Sequence, residues 1–165
     1  MIFWHAATGF KKAIQSRQWD MIDYLINTVN INLEHLMFDK ILHYTIVWCQ
    51  KDTLDEAKES VNDEIFKIIV AKKMPKIDEM DDTHENLTPL ALCCFIGVWS
   101  IAKVLVELGA DVNSVTETDM TPMGLCLLWK KEAEFKKDQP MMDAMDELVE
   151  YLRSKGGYLD WKKRV

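Results

Sequence analysis

"NLTPLALCCFIGVWSIAKVLVELGADVN", residues 86–113, carries the pattern that decides the fold. Thr88-Pro89 reads as a helix start: threonine suits the capping position, and proline at the first helical position loses no needed N–H. Leu90 and Leu92, then Ile101, Val104 and Leu105, fall on the inward faces of two short helices. Gly109 stands just past the second helix, where a left-handed residue ends the chain's turn. Within this stretch "CCFIGVW", residues 93–99, runs through seven positions without a charge.

The block returns. "TPLALCCFIG" from Thr88 lies over "TPMGLCLLWK" from Thr121, 33 positions on, and Thr-Pro, Leu92/Leu125 and Cys93/Cys126 coincide. "MDELVEYLRSKGGYLD", residues 145–160, repeats the second helix and its end, with Gly156 in the place of Gly109. A period of this size marks a stacked array, in which each helix pair is too small to bury its own apolar face and covers it against its neighbours.

These residues resemble the ankyrin repeat. Residues 86–113 follow its T-P-L, G and G-A-D-V-N positions closely, with Ala91 where the family usually has histidine. In the same phase, "TGFKKAIQSRQWDMIDYLINTVNIN" (8–32) supplies a first repeat, and "DKILHYTIVWC" (39–49) with "NDEIFKIIVAKKMPKID" (62–78) a second. The resemblance implies an all-α solenoid of antiparallel helix pairs with short hairpin finger loops. A single domain over 1–165 would hold repeats at about 5–35, 36–83, 84–117 and 118–161. Trp19 and Trp99, at the entry to second helices, read as core, and the polar outer faces of the first and last repeats read as caps.

Two repeats are longer than the pattern. The excess lies between their helices, at "QKDTLDEAKESV" (50–61) and "KKEAEFKKDQPM" (130–141). Neither is rich in Gly or Ser, so neither reads as a flexible loop. Leu54, Ala57, Val61, Ile65 and Ile68 keep helical spacing, and Pro140 can open a helix carrying Met141, Met145, Leu148 and Leu152 on one face. Two elongated helical hairpins are expected, one on each side of the third repeat.

In the ankyrin family, two positions near the end of each first helix face the concave groove. Carried over from the Thr-Pro phase, they are Phe95 and Ile96, then Leu128 and Trp129. Phased on Leu42 they are Val47 and Trp48, and in the first repeat Gln15 and Ser16, the polar pair. The finger positions add Leu36, Met37, Leu87 and Met120. Six large apolar side chains in one groove would present roughly 500–800 Å², more than most monomers leave uncovered. Two readings stand. The groove is open and binds a partner through these aromatics, which favour interfaces. Or the elongated hairpins, beginning just after Trp48 and Trp129, fold back and cover it.

Other functions find little support. The net charge of −7 argues against a general nucleic-acid binder. Only the terminal "WKKRV" is basic, which reads as a solvated end. The start "MIFWHAATGFKK" lacks the layout of a signal peptide, and no run approaches the ~18 apolar residues of a membrane span. Cys49, Cys93, Cys94 and Cys126 do not form a disulfide-scaffold pattern, which points to an intracellular, cytoplasmic setting. His5, His35, His43 and His84 are scattered, with no metal-binding spacing. No Gly-rich phosphate loop is present, since Gly156-Gly157 closes a helix and does not open one. No catalytic group, cofactor or metal is therefore expected. Asn113, eight residues after Leu105, resembles the sites of asparaginyl hydroxylation in ankyrin proteins.

The expected function is non-catalytic protein binding through the groove, as an adaptor, an inhibitor or a subunit. The alternative is a structural component of a larger cytoskeletal or ciliary assembly, in which the hairpins and the basic tail take part. Neither reading identifies the partner protein.

Overall fold

A computed structural model of the chain describes residues 8–10, 12–14, 16, 18–29, 41–49, 67, 77–82 and 85–159. The chain divides into two compact units, Met1–Ile77 and Asp78–Val165, and the division falls just ahead of the expected third repeat. Among the described residues there is no strand, only helices, turns and one antiparallel bridge between Asp81 and Leu87.

In the first unit, residues 8–10 and 12–14 are helical, and Phe10, Ala13 and Ile14 are buried at the three-and-four spacing of one helix face. Helix α1 (Trp19–Asp23) runs into a π-helical turn, Tyr24–Thr28, with Ile22 and Ile26 buried. Helix α2 (Ile41–Cys49) buries Leu42, His43, Thr45 and Ile46. Leu42-His43, the pair that phased the second repeat, is thus core. The elongated second hairpin, with its insertion at 50–61, lies outside the described residues, as do Leu36, Met37 and Gln15 and the side chains of Trp19 and Trp48.

The second unit holds two helix pairs: α3 (Pro89–Ile96) with α4 (Trp99–Glu107), and α5 (Pro122–Lys136) with α6 (Gln139–Ser154). The first helices pack side by side, α3 on α5, and so do the second helices, α4 on α6. Both Thr-Pro starts do what their chemistry allows. The hydroxyls of Thr88 and Thr121 accept from the backbone N–H of Ala91 and Gly124, each at 3.2 Å, with Pro89 and Pro122 in the first turn. Leu90, Leu92, Ile101, Val104 and Leu105 are all buried, and so are Met145, Leu148 and Leu152 of α6. Trp99 is half-buried, against the expectation of full burial, because its indole lies along the turn at Gly97.

Both second helices end alike. Gly109 and Gly156 take left-handed φ angles of +94° and +85°. The next residue then closes back on the helix, Ala110 N–H to Leu105 O at 3.0 Å and Gly157 N–H to Leu152 O at 2.8 Å.

The extra residues of the second helix pair are helical on both sides of a turn at Lys137 and Asp138. Helices α5 and α6 have 15 and 16 residues where α3 and α4 have 8 and 9, an extension of about 10 Å at the α-helical rise per residue. Lys137, at φ +57°, turns the chain, and Asp138 caps α6 through the N–H of Met141 at 3.1 Å, with Pro140 in its first turn. Lys130 pairs with Asp146 across the hairpin at 2.5 Å.

Candidate functional site

The two described fingers are tight hairpin turns. Asp81 N–H bonds Leu87 O at 3.1 Å in the first, and Thr116 N–H bonds Met120 O at 2.9 Å in the second. Their tips use positive φ at Glu85, Asn86 and Asp119, where Asn and Asp tolerate the left-handed region better than other side-chain-bearing residues. Asn86 donates from its amide to Glu117 at 2.5 Å, linking finger to finger. The Thr116 hydroxyl accepts from Met120 N–H at 3.1 Å and so holds Met120 in place.

Between these fingers and the first helices lies a cleft of about 430 Å³. Leu87, Phe95, Met120, Leu125 and Leu128 give it an apolar floor, and Glu85, Thr116, Glu117 and Thr118 form its polar lining. Four of the expected contact residues, Leu87, Phe95, Met120 and Leu128, are therefore brought together. Leu128 is 44% exposed, an open apolar side chain, while Leu87 is 4% exposed and offers the cleft only its edge. Leu125 belongs to the same floor. Its position three residues before Leu128, on the same side of α5, was the signal for it.

The other expected residues are placed differently. Ile96 is half-buried and Trp129 is half-buried, and neither lines the cleft. The Trp129 indole N–H instead donates to the carbonyl of Phe95, in the last turn of α3. It thereby satisfies a carbonyl that the helix leaves without an intrahelical partner. Trp129 acts as a clamp between repeats. Val47 is half-buried in the first unit. Leu128 and Phe135 are both exposed on α5, while the covered-groove reading turns on Trp129, which is half-buried, and on Trp48, whose side chain lies outside the described residues.

Asn113 stands apart from the cleft. Its amide donates to Gly156 O at 2.9 Å and its side-chain oxygen accepts from Tyr158 N–H at 2.8 Å. These bonds fasten the loop after α4 to the end of α6. Thr121 makes a parallel tie, its hydroxyl donating to Tyr158 O at 2.6 Å. Tyr158 and Leu159 are accordingly part of the fold.

Residues 85–117 match the family model described as Ankyrin repeat, one residue inside the expected bounds of the third repeat. The chain contains an ankyrin repeat. The helical architecture is that of an ankyrin-type solenoid, whose repeats generally mediate protein–protein interaction and are typically non-catalytic. No curated protein and no solved structure matches the chain.

Among the described residues no group of His, Cys, Asp or Glu is placed to hold a metal, and no helix is long and apolar enough to cross a membrane. Cys93, Cys94 and Cys126 are buried thiols without a disulfide. A hydrogen bond with the Cys126 thiol, together with burial, pushes the Cys94 thiol well above the ordinary cysteine value, so it stays protonated and unreactive.

Proposed function

We propose that this protein binds a partner protein at the cleft between its third and fourth repeats and has no catalytic chemistry of its own. The observation that supports this best is Leu128, 44% exposed on the apolar floor of the cleft. An apolar hollow with a polar edge is the anatomy of an interface core and rim. In the first unit, Val47 and Trp48, with Leu36 and Met37, are proposed as further contact residues. The buried thiols fit a reducing, intracellular setting. The role is that of an adaptor, an inhibitor that masks its partner, or a subunit.

The test is affinity capture from a lysate of the native cells, comparing wild type with Leu128→Asp, with thermal melts of both. A partner lost while the melting temperature holds supports the reading. A partner retained by Leu128→Asp contradicts it. The alternative of a larger assembly is separated by truncating the tail after Leu159, which leaves Tyr158 and Leu159 in their fold contacts. Loss of assembly with groove binding intact would favour that alternative.

A further inference from the structure

The apolar surface does not stop at the cleft. Phe135 is 89% exposed, the most open large apolar side chain among the described residues. It lies on α5 seven residues after Leu128, and seven residues make nearly two full turns, so both side chains project from one side of the helix, about 10 Å apart. The elongation of the fourth repeat is what carries Phe135 there. A surface of two apolar anchors a cleft and two turns apart matches the i, i+7 spacing of an amphipathic helix.

Charge adds a direction. Residues 78–129 contain nine Asp or Glu residues (78, 79, 81, 82, 85, 107, 111, 117 and 119) and one Lys or Arg, Lys103. Lys103 is paired with Glu147 of α6 at 2.5 Å. The finger end of the surface is thus anionic, with Glu85 and Glu117 exposed on the cleft's lining. Beyond Leu128 the acidic excess ends, since "KKEAEFKK" (130–137) carries four lysines against two glutamates, with Lys130 paired to Asp146 and Lys136 to Glu132.

Resting on the groove reading above, we propose that the occupant is an amphipathic helix of a partner protein. Its apolar residues, seven apart, seat in the Leu128 cleft and against Phe135, and Lys or Arg residues at one end lie over Glu85 and Glu117.

A random 16-residue peptide library selected on the full chain tests this. Enriched peptides are expected to carry large apolar residues seven apart and Lys or Arg clustered at one end. Their affinity should fall at least tenfold with Leu128→Asp, several-fold with Phe135→Ala, and several-fold at low salt with Glu85→Gln/Glu117→Gln. The exposure of Phe135 leaves that variant's melt unchanged, so folding is not in question. Peptides sensitive to Leu128→Asp but indifferent to Phe135→Ala and to the Gln variants would overturn this proposal and leave the cleft standing. Peptides indifferent to Leu128→Asp, or no enrichment, would overturn both. Concentration-dependent self-association of the chain, abolished by Leu128→Asp, would give the surface to a second copy and also overturn it.

Discussion

Trp129→Ala should unfold this protein more easily than any other single change at the edge of the cleft. The indole N–H donates to the Phe95 carbonyl 34 residues away, and a net hydrogen bond of this kind contributes about 1 kcal/mol. Truncating a fully buried Trp to Ala costs roughly 3–5 kcal/mol. The ring here is half-buried, so about half of the lower figure, roughly 1.5 kcal/mol, is the packing share. Together the loss is about 2–3 kcal/mol, which for a chain of this length lowers Tm by roughly 5–10 °C. Trp129→Phe keeps most of the packing and loses the donor, so it should fall by only about 2–4 °C. Leu128→Ala, at a side chain 44% exposed, should cost about 1 kcal/mol or less. Circular dichroism melts of the three variants beside wild type measure all of this. A melt of Trp129→Ala within 2 °C of wild type, or a Leu128→Ala melt as low as Trp129→Ala, would refute the clamp.

Two glycines should respond with opposite signs. Gly157→Ala places a Cβ 2.8 Å from the Leu152 carbonyl oxygen, a backbone atom of the helix closure, and should destabilise by about 1–3 kcal/mol in urea titration. Gly124→Ala, inside α5 with no neighbour nearer than 3.6 Å, should stabilise by about 0.5–1 kcal/mol through helix propensity. Thr121→Ala removes both the cap on Gly124 N–H and the tie to Tyr158 O and should cost about 1–2 kcal/mol, which Thr121→Ser restores in the same titration. Iodoacetamide at pH 8 should leave Cys93, Cys94 and Cys126 unmodified in the folded protein and modify all three in urea, as peptide mapping would show.

The fold was legible because an array writes its period into the chain. Thr-Pro returning 33 residues on, with a glycine closing each second helix, named the caps, the core leucines and the helix ends before any coordinate. The length of α5 and α6 was legible too, since "KKEAEFKKDQPM" lacks loop residues and Pro140 can open a helix. The groove positions were legible only as places on a helix. What a side chain does there depends on a neighbour about one repeat away, and the pattern is silent on that. Leu128 and Trp129 are adjacent and look alike as candidates, yet one faces the cleft and the other reaches the Phe95 carbonyl. Glu85 and Glu117 were not among the expected contact residues, because their place on the cleft depends on how the two fingers meet. Phe135 sat in the inserted stretch, outside the repeat's phase, and only the continuous α5 puts it in line with Leu128.

The central claim is that the partner sits on the Leu87–Phe95–Met120–Leu128 cleft. Methyl NMR of Leu- and Met-labelled protein, titrated with the captured partner or a selected peptide, tests it most directly. The account predicts that the methyls of Leu87, Met120, Leu125 and Leu128 shift first and furthest, while those of Met145, Leu148 and Leu152, buried in α6, stay still. Shifts centred elsewhere, with the four cleft methyls unmoved at saturation, would contradict it.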